Sequence, residues 1–319
     1  MSRTRIRLES GLGINISLKR SPQDLGSGDA VPGAVERNEL FVTVAVRDCV
    51  RFPLRIARSG MTTGSIALVL PALGVSSRFY ERFARRLATA GLTAVTADLR
   101  GQGESLPVPR RGDGHGYRDI VEIDLPRVVQ EVANHFPGRP IWLVGHSLGG
   151  QLALVFAGLN STTIAGVAVI ATGSAWHGGF AGSRRVRNLL LSQLVAIISR
   201  SAGVWRGDVF GFGGRQSTVL MRDWAAQVRT GRYAARGSKI DYEAGLAQVV
   251  TPVLLVDVEG DTLAPPGCVD HLISKIPRAP VERWNYTQAM AASHCLTHFS
   301  WAKQSPDLAE HVAAWVFSK

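Results

Sequence analysis

The ten residues IWLVGHSLGG (141–150) constrain this chain more than any other stretch. An apolar run, Ile141–Val144, leads into Gly145-His146-Ser147-Leu148-Gly149, and an apolar helical pattern follows at once. A G-x-S-x-G sequence between a strand and a helix projects the serine Oγ from a tight turn. That turn crowds the neighbouring backbones, and Gly145 and Gly149 leave room that a Cβ would fill. Ser147 is therefore the candidate nucleophile.

The pattern around this turn repeats along the chain. LFVTVAV (40–46), FPLRIA (52–57), IALVL (66–70), TAVTADL (93–99), AGVAVIA (165–171), PVLLVDV (252–258) and VERWNY (281–286) read as strands. Between them, helical patterns cover 77–91, 125–136, 148–158, a stretch near Cys268–Ile276 and, at the end, about 306–317. Strands alternating with helices predict an α/β fold, a mostly parallel sheet with helices on both faces. With 45% hydrophobic and 19% charged residues in 319, the chain can bury a large core. Residues 1–37 are rich in Gly, Ser, Pro and charge without apolar periodicity, so they read as a flexible tail ahead of a domain at 38–319.

A serine hydroxyl is a weak nucleophile near neutral pH and needs a base that is itself oriented by an acid. After a strand–turn–helix serine the chain order is acid, then histidine. TPVLLVDVEGDTLAPP (251–266) sets Asp261 in the loop after a strand, ahead of Pro265-Pro266. Asp257 and Glu259 are alternatives within the same stretch. The loop after the last strand holds His294 and His298 in SHCLTHFS (293–300). Two histidines four apart can chelate a metal from one helical face, but there is no HExxH and no carboxylate at ligand spacing. No metal and no cofactor are expected. One oxyanion donor should be the N–H of Leu148, the residue after the nucleophile.

DLRGQGES (98–105), LPRVVQEV (125–132), GHSLGG (145–150), EGDTLAPP (259–266) and HFSW (298–301) carry a resemblance. From about Leu40 to its end the chain resembles α/β-hydrolase-fold serine hydrolases. It is most similar to the esterase group of monoacylglycerol-lipase-like enzymes, often labelled serine aminopeptidase-like. The resemblance implies the α/β-hydrolase fold with an inserted helical lid. It also implies His298 as the base, because such a histidine is often followed by an aromatic residue, here Phe299; His294 is the alternative. The second oxyanion donor would come from the turn PALGVSS (71–77). Many relatives read His-Gly where this chain has Pro71-Ala72, so Leu73 is the expected donor and Ala72 the fallback.

About eighty residues separate the strand ending near Ala171 from the next at Pro252, too many for an ordinary connection. The lid insertion is expected at about 177–240. This segment also carries most of the net charge of +11, since it holds eleven Lys/Arg against Asp208 and Asp223. RRVRNLLLSQLVAIISR (184–200) reads as an amphipathic helix with Val186, Leu190, Leu194 and Ile197/Ile198 on one face and arginines beside it. A second helix is expected over 218–233. An apolar lid suits a small-molecule or lipid-like ester, and the arginines suit an anionic headgroup, a membrane surface or the phosphates of a thioester carrier. The plain alternative is that the apolar face packs on the core. Without an aromatic-interleaved basic platform, nucleic acid is not an expected partner.

The expected reaction is hydrolysis of a carboxylic ester with a hydrophobic moiety through an acyl-enzyme on Ser147. Alternatives are a thioesterase on an anionic acyl thioester and a non-catalytic binding protein on the same scaffold. Three scattered cysteines, no secretory h-region and no run of about 18 apolar residues point to a cytoplasmic protein.

Overall fold

The protein was studied as a computed structural model that describes residues 40–47, 50–61, 64–160, 162–291, 295–303 and 306–319. The expected tail at 1–37, Cys49 and His294 lie outside the described residues. Strands form at β1 (Leu40–Arg47), β2 (Val50–Ala57), β3 (Ile66–Leu70), β4 (Thr93–Ala97), β5 (Ile141–His146), β6 (Gly166–Ile170), β7 (Trp205–Arg206), β8 (Arg215–Gln216), β9 (Val253–Val258) and β10 (Val281–Tyr286). Helices form at α1 (Glu81–Thr89), α2 (Leu125–His135), α3 (Leu148–Leu159), α4 (Ser183–Ala202), α5 (Gly207–Phe210), α6 (Thr218–Thr230), α7 (Tyr242–Leu246), α8 (Pro266–Ile273) and α9 (Pro306–Phe317).

Every residue of β3, β4, β5 and β6 is buried, which is why IALVL, IWLV and GVAVI read as unbroken apolar runs. Among the described residues, one sheet has the order β1-β2-β4-β3-β5-β6-β9-β10. β2 is antiparallel to both β1 and β4, and every other pairing is parallel. One face packs Leu68, Leu143, Val129 and Val155 with α2 and α3. The other packs Phe83, Leu87, Trp142, Trp301 and Trp315 with α1 and α9. The turns after β3, β5, β9 and β10 all emerge at the carboxyl edge, where sheets of this kind bind ligands.

The strand TAVTADL stops at Ala97 because Asp98 turns to other work. Its carboxylate accepts the N–H groups of Ser77 at 2.6 Å and Glu104 at 2.8 Å. Arg100 pairs with the buried Asp124, and Glu104 bridges Arg55 and Arg78. The acidic and basic residues of DLRGQGES thus hold loops together.

Between β6 and β9 the chain leaves the sheet and builds α4, the β7–β8 hairpin around α5, α6 and α7. A buried polar chain ties α6 to the elbow helix. Gln227 Nε2 donates to Gln151 Oε1 and to the Ser174 carbonyl, each at 2.7 Å, and Tyr117 Oη donates to Gln227 Oε1 at 2.7 Å. Gln151 Nε2 completes the chain on the Gly173 carbonyl at 2.6 Å. Asp223, also on α6, accepts the backbone N–H groups of Tyr117 and Arg236, and burial pushes its carboxyl up to about 6.

Helix α4 packs outside α6, and it does so the wrong way round for a core helix. Its buried residues are Ser192 and Ser199, while Val186, Leu190, Leu194 and Ile197 are 49–62% exposed. The plain expectation that this apolar stripe packs on the core is therefore not what the structure shows. Among the described residues no helix is long and apolar enough to cross a membrane.

Candidate active site

Ser147 joins β5 to α3 with φ 51° and ψ −117°, a region that non-glycine residues seldom occupy. The surroundings fix it there. Its N–H donates to the Ile170 carbonyl at 3.3 Å and its carbonyl accepts the Gln151 N–H at 3.0 Å. A Cβ on Gly145 would lie 2.5 Å from the Gly150 nitrogen. One on Gly149 would lie 2.5 Å from the Leu70 oxygen and 2.6 Å from that of Pro71. Both glycines are required by close approach, and the strain is concentrated on the one residue whose hydroxyl must stand clear. Ser147 is half-buried between fully buried neighbours.

Three acids follow β9, and their partners separate them. Asp257 faces Arg283, with Nε–Oδ2 at 2.5 Å. Glu259 accepts the Gln288 N–H at 2.7 Å. Asp261 Oδ1 accepts the N–H groups of Leu263 at 2.8 Å and Ala264 at 3.1 Å, and its Oδ2 lies 2.8 Å from His298 Nδ1. Both side chains of that couple are nearly closed to solvent, at 3% and 6% exposure. A carboxylate held by two backbone donors has one oxygen left for an imidazole N–H, which fixes the ring and its tautomer. His298 is anchored from behind as well, since its carbonyl accepts the Trp301 indole N–H at 2.9 Å. His294 lies outside the described residues.

The His298 ring packs on His146, the residue before Ser147, with centroids 4.7 Å apart. Burial and then the proximity of His298 hold His146 well below the usual histidine range, so it is neutral. Its Nδ1 is 2.7 Å from Tyr80 Oη, and the same phenol oxygen accepts the Ala72 N–H at 3.0 Å. Tyr80 has one proton to give, so it donates to Nδ1 and leaves the His146 proton on Nε2. His146 is thereby a neutral spacer under His298.

The same contacts sort the donors in the turn after β3. Pro71 has no N–H, Ala72 gives its own to Tyr80, Gly74 donates to Gln102 Oε1 at 2.6 Å, and Val75 donates to the Ala72 carbonyl at 3.1 Å. Of residues 71–75, the N–H of Leu73 is the one left for an outside acceptor. The Leu148 N–H opens α3, where a helix has no internal acceptor to offer. The N–H of Ala72, the fallback donor, is already engaged with Tyr80 Oη.

Sequence reasoning gave no role at the site to Tyr80, Gln102, Gln151 or Gln227. One signal was available. Gln151 is the lone polar side chain in LGGQLALVFAGL, a helix otherwise buried and apolar, and a buried polar residue is there to bind something. Among the described residues no group of three or more His, Cys, Asp or Glu is arranged to hold a metal ion.

The family model described as serine aminopeptidase, S33, matches residues 64–291. Human (Homo sapiens) monoglyceride lipase is 30% identical over 116 residues, which is 34% of this chain and 35% of the relative. The chain thus spans about a third of the length of that curated relative. Among solved structures, a soluble variant of Saccharomyces cerevisiae monoglyceride lipase superimposes with a TM-score of 0.66 at 16% identity, covering 90% of this chain and 97% of that one. Est1E from Butyrivibrio proteoclasticus, with ferulic acid bound, gives 0.57 at 13% identity, covering 87% and 99%. These likenesses establish the α/β-hydrolase fold.

Proposed function

The chain belongs to the serine aminopeptidase, S33, family, and from that premise we propose that it is a serine hydrolase of esterase or lipase type, cleaving a carboxylic ester with an apolar moiety. The observation that carries this reading is the buried Asp261–His298 couple, at 2.8 Å, with its imidazole packed on His146, the residue before the strained Ser147. Ser147 Oγ attacks the ester carbonyl carbon while its proton passes to His298 Nε2. Asp261 keeps the Nδ1 proton in place and stabilises the imidazolium. The Leu148 and Leu73 N–H groups donate to the developing oxyanion. Collapse expels the alkoxide, which takes the proton from His298, and leaves an acyl-enzyme. Water, deprotonated by the same imidazole, releases the acid.

The experiment is a fluorophosphonate probe applied to the purified protein, with the adduct mapped by mass spectrometry. A single adduct on Ser147, absent from Ser147→Ala, is the expected result. A folded wild type that takes no label would make the protein a binding module on a hydrolase scaffold. The thioester alternative is decided on the same preparation by comparing kcat/KM for an ester and a thioester of one acyl group.

Two things support a lipid-like substrate presented at a surface. The curated relative is named for monoglycerides. The outward stripe Val186, Leu190, Leu194 and Ile197 on α4 is flanked by the exposed Arg184, Arg185, Arg187 and Arg200, the pattern of a helix that lies on an anionic interface. Cosedimentation should show binding to vesicles containing anionic lipid. The triple change Leu190→Ser, Leu194→Ser, Ile197→Ser should weaken it about tenfold or more, because three apolar side chains lose their burial. Equal binding of neutral and anionic vesicles would remove the arginines from the argument, and no binding at all would remove the surface.

A further inference from the structure

The insert touches the oxyanion turn directly, and its tightest approach is backbone on backbone. The β7–β8 hairpin carries the tip Phe212-Gly213-Gly214, and its geometry is fixed from within. Trp205 Nε1 donates to the Phe212 carbonyl at 2.9 Å and Gln216 Nε2 to the Gly213 carbonyl at 2.7 Å. Both of these side chains are buried. The tip then sits on Gly74. A Cβ there would collide with the Gly213 carbonyl and stand 2.5 Å from the Gly214 nitrogen. In the other direction, a Cβ on Gly214 would be 3.1 Å from Gly74 Cα and 3.2 Å from its oxygen. Gly213 and Gly214 both have left-handed backbones, at φ 70° and 63°.

On its inner side the same turn is pressed by Gly149 against the carbonyls of Leu70 and Pro71. It is held further by Tyr80 at Ala72 and by Gln102 at Gly74. The segment Leu70–Gly74 is therefore gripped between the elbow helix and the insert, and the one N–H with no acceptor of its own, that of Leu73, lies between the grips. We propose that Gly213 and Gly214 are positioning residues for the reaction: the hairpin tip clamps Gly74 and so fixes the Leu73 N–H as the second oxyanion donor. The insert on this reading is a structural part of the catalytic site as well as its cover. The inference rests on the serine-hydrolase reading above.

The test uses the full chain and a soluble short-chain p-nitrophenyl ester. Gly214→Ala places a methyl group against Gly74 backbone and should lower kcat about tenfold to hundredfold, the scale of a displaced oxyanion donor. KM should change by less than about threefold, because ground-state binding is untouched. Gly211→Ala is the control: that residue has the same left-handed backbone, φ 73°, with nothing within 4 Å of its Cβ. It should keep kcat within about twofold. Gly213→Ala, whose Cβ would lie 3.2 Å from the Leu73 side chain and 3.8 Å from Trp205 Nε1, should fall between the two and carries the test if Gly214→Ala does not fold.

Equal kcat for Gly214→Ala and Gly211→Ala, or a change confined to KM, would overturn the clamp and leave the hairpin as a cover. The two failures are distinguishable. A wild type labelled at Ser147 with no difference between the glycine variants sinks the clamp alone. An unlabelled wild type sinks the hydrolase reading and the clamp with it.

Discussion

Replacing His298 by alanine should lower kcat on a soluble ester by about 10⁴- to 10⁶-fold and abolish fluorophosphonate labelling of Ser147. The reason lies in what remains. Asp261 keeps its two backbone donors, Leu263 and Ala264, so its carboxylate stays in place without the imidazole. Ser147 keeps its strained elbow, which is built from Gly145, Gly149 and the Ile170 carbonyl and owes nothing to His298. The variant should therefore fold, with a near-native melting temperature, and lose only the group that takes the serine proton. His294→Ala should keep activity within about tenfold. A reversed outcome, with His294→Ala dead and His298→Ala active, would move the base and contradict the reading built on the 2.8 Å contact with Asp261.

The second large effect is expected from Asp261→Asn, about 10⁴-fold in kcat with little change in stability. The asparagine oxygen would keep the acceptor position facing Leu263 and Ala264, where two N–H groups demand it. That leaves the NH₂ facing His298 Nδ1. Two donors cannot share that line, so the imidazole must move its proton to Nε2, where it can no longer receive one from Ser147. Asp257→Asn and Glu259→Gln are expected to stay within about threefold of wild type, since the first faces Arg283 and the second a backbone N–H. A loss from Glu259→Gln matching that from Asp261→Asn would sink the assignment of the acid. Steady-state kinetics on the three variants decides it.

Much of this architecture could be read from the chain because burial on both faces writes an unmistakable pattern. IALVL, IWLV and GVAVI have no polar face to confuse with a helix, and each proved to be a fully buried strand. The elbow was legible for a different reason: its glycines answer to backbone collisions that no other residue survives. The acid was read as Asp261 with Asp257 and Glu259 left as alternatives, because three carboxylates in five residues differ only in what they face, and sequence does not carry that information. Tyr80 and Gln102 escaped for the same reason; each meets the turn after β3 across the fold, at Ala72 and at Gly74. α4 shows a further limit. Its apolar residues recur at helical spacing whether the stripe faces a core or open solvent, and here the two serines face inward and the stripe outward.

The buried glutamine chain has a consequence for how such a protein can diverge. Because Gln227 spends its amide on Gln151 and the Ser174 carbonyl and accepts from Tyr117, any exchange that crosses α6 strands several polar groups in the interior at once. No such debt attaches to the outward residues of α4. Random drift and selection can rewrite that stripe, from greasy to charged or back, with the reaction centre untouched. The outward stripe of α4 and the polar chain that ties α6 to the elbow helix can thus change independently of each other.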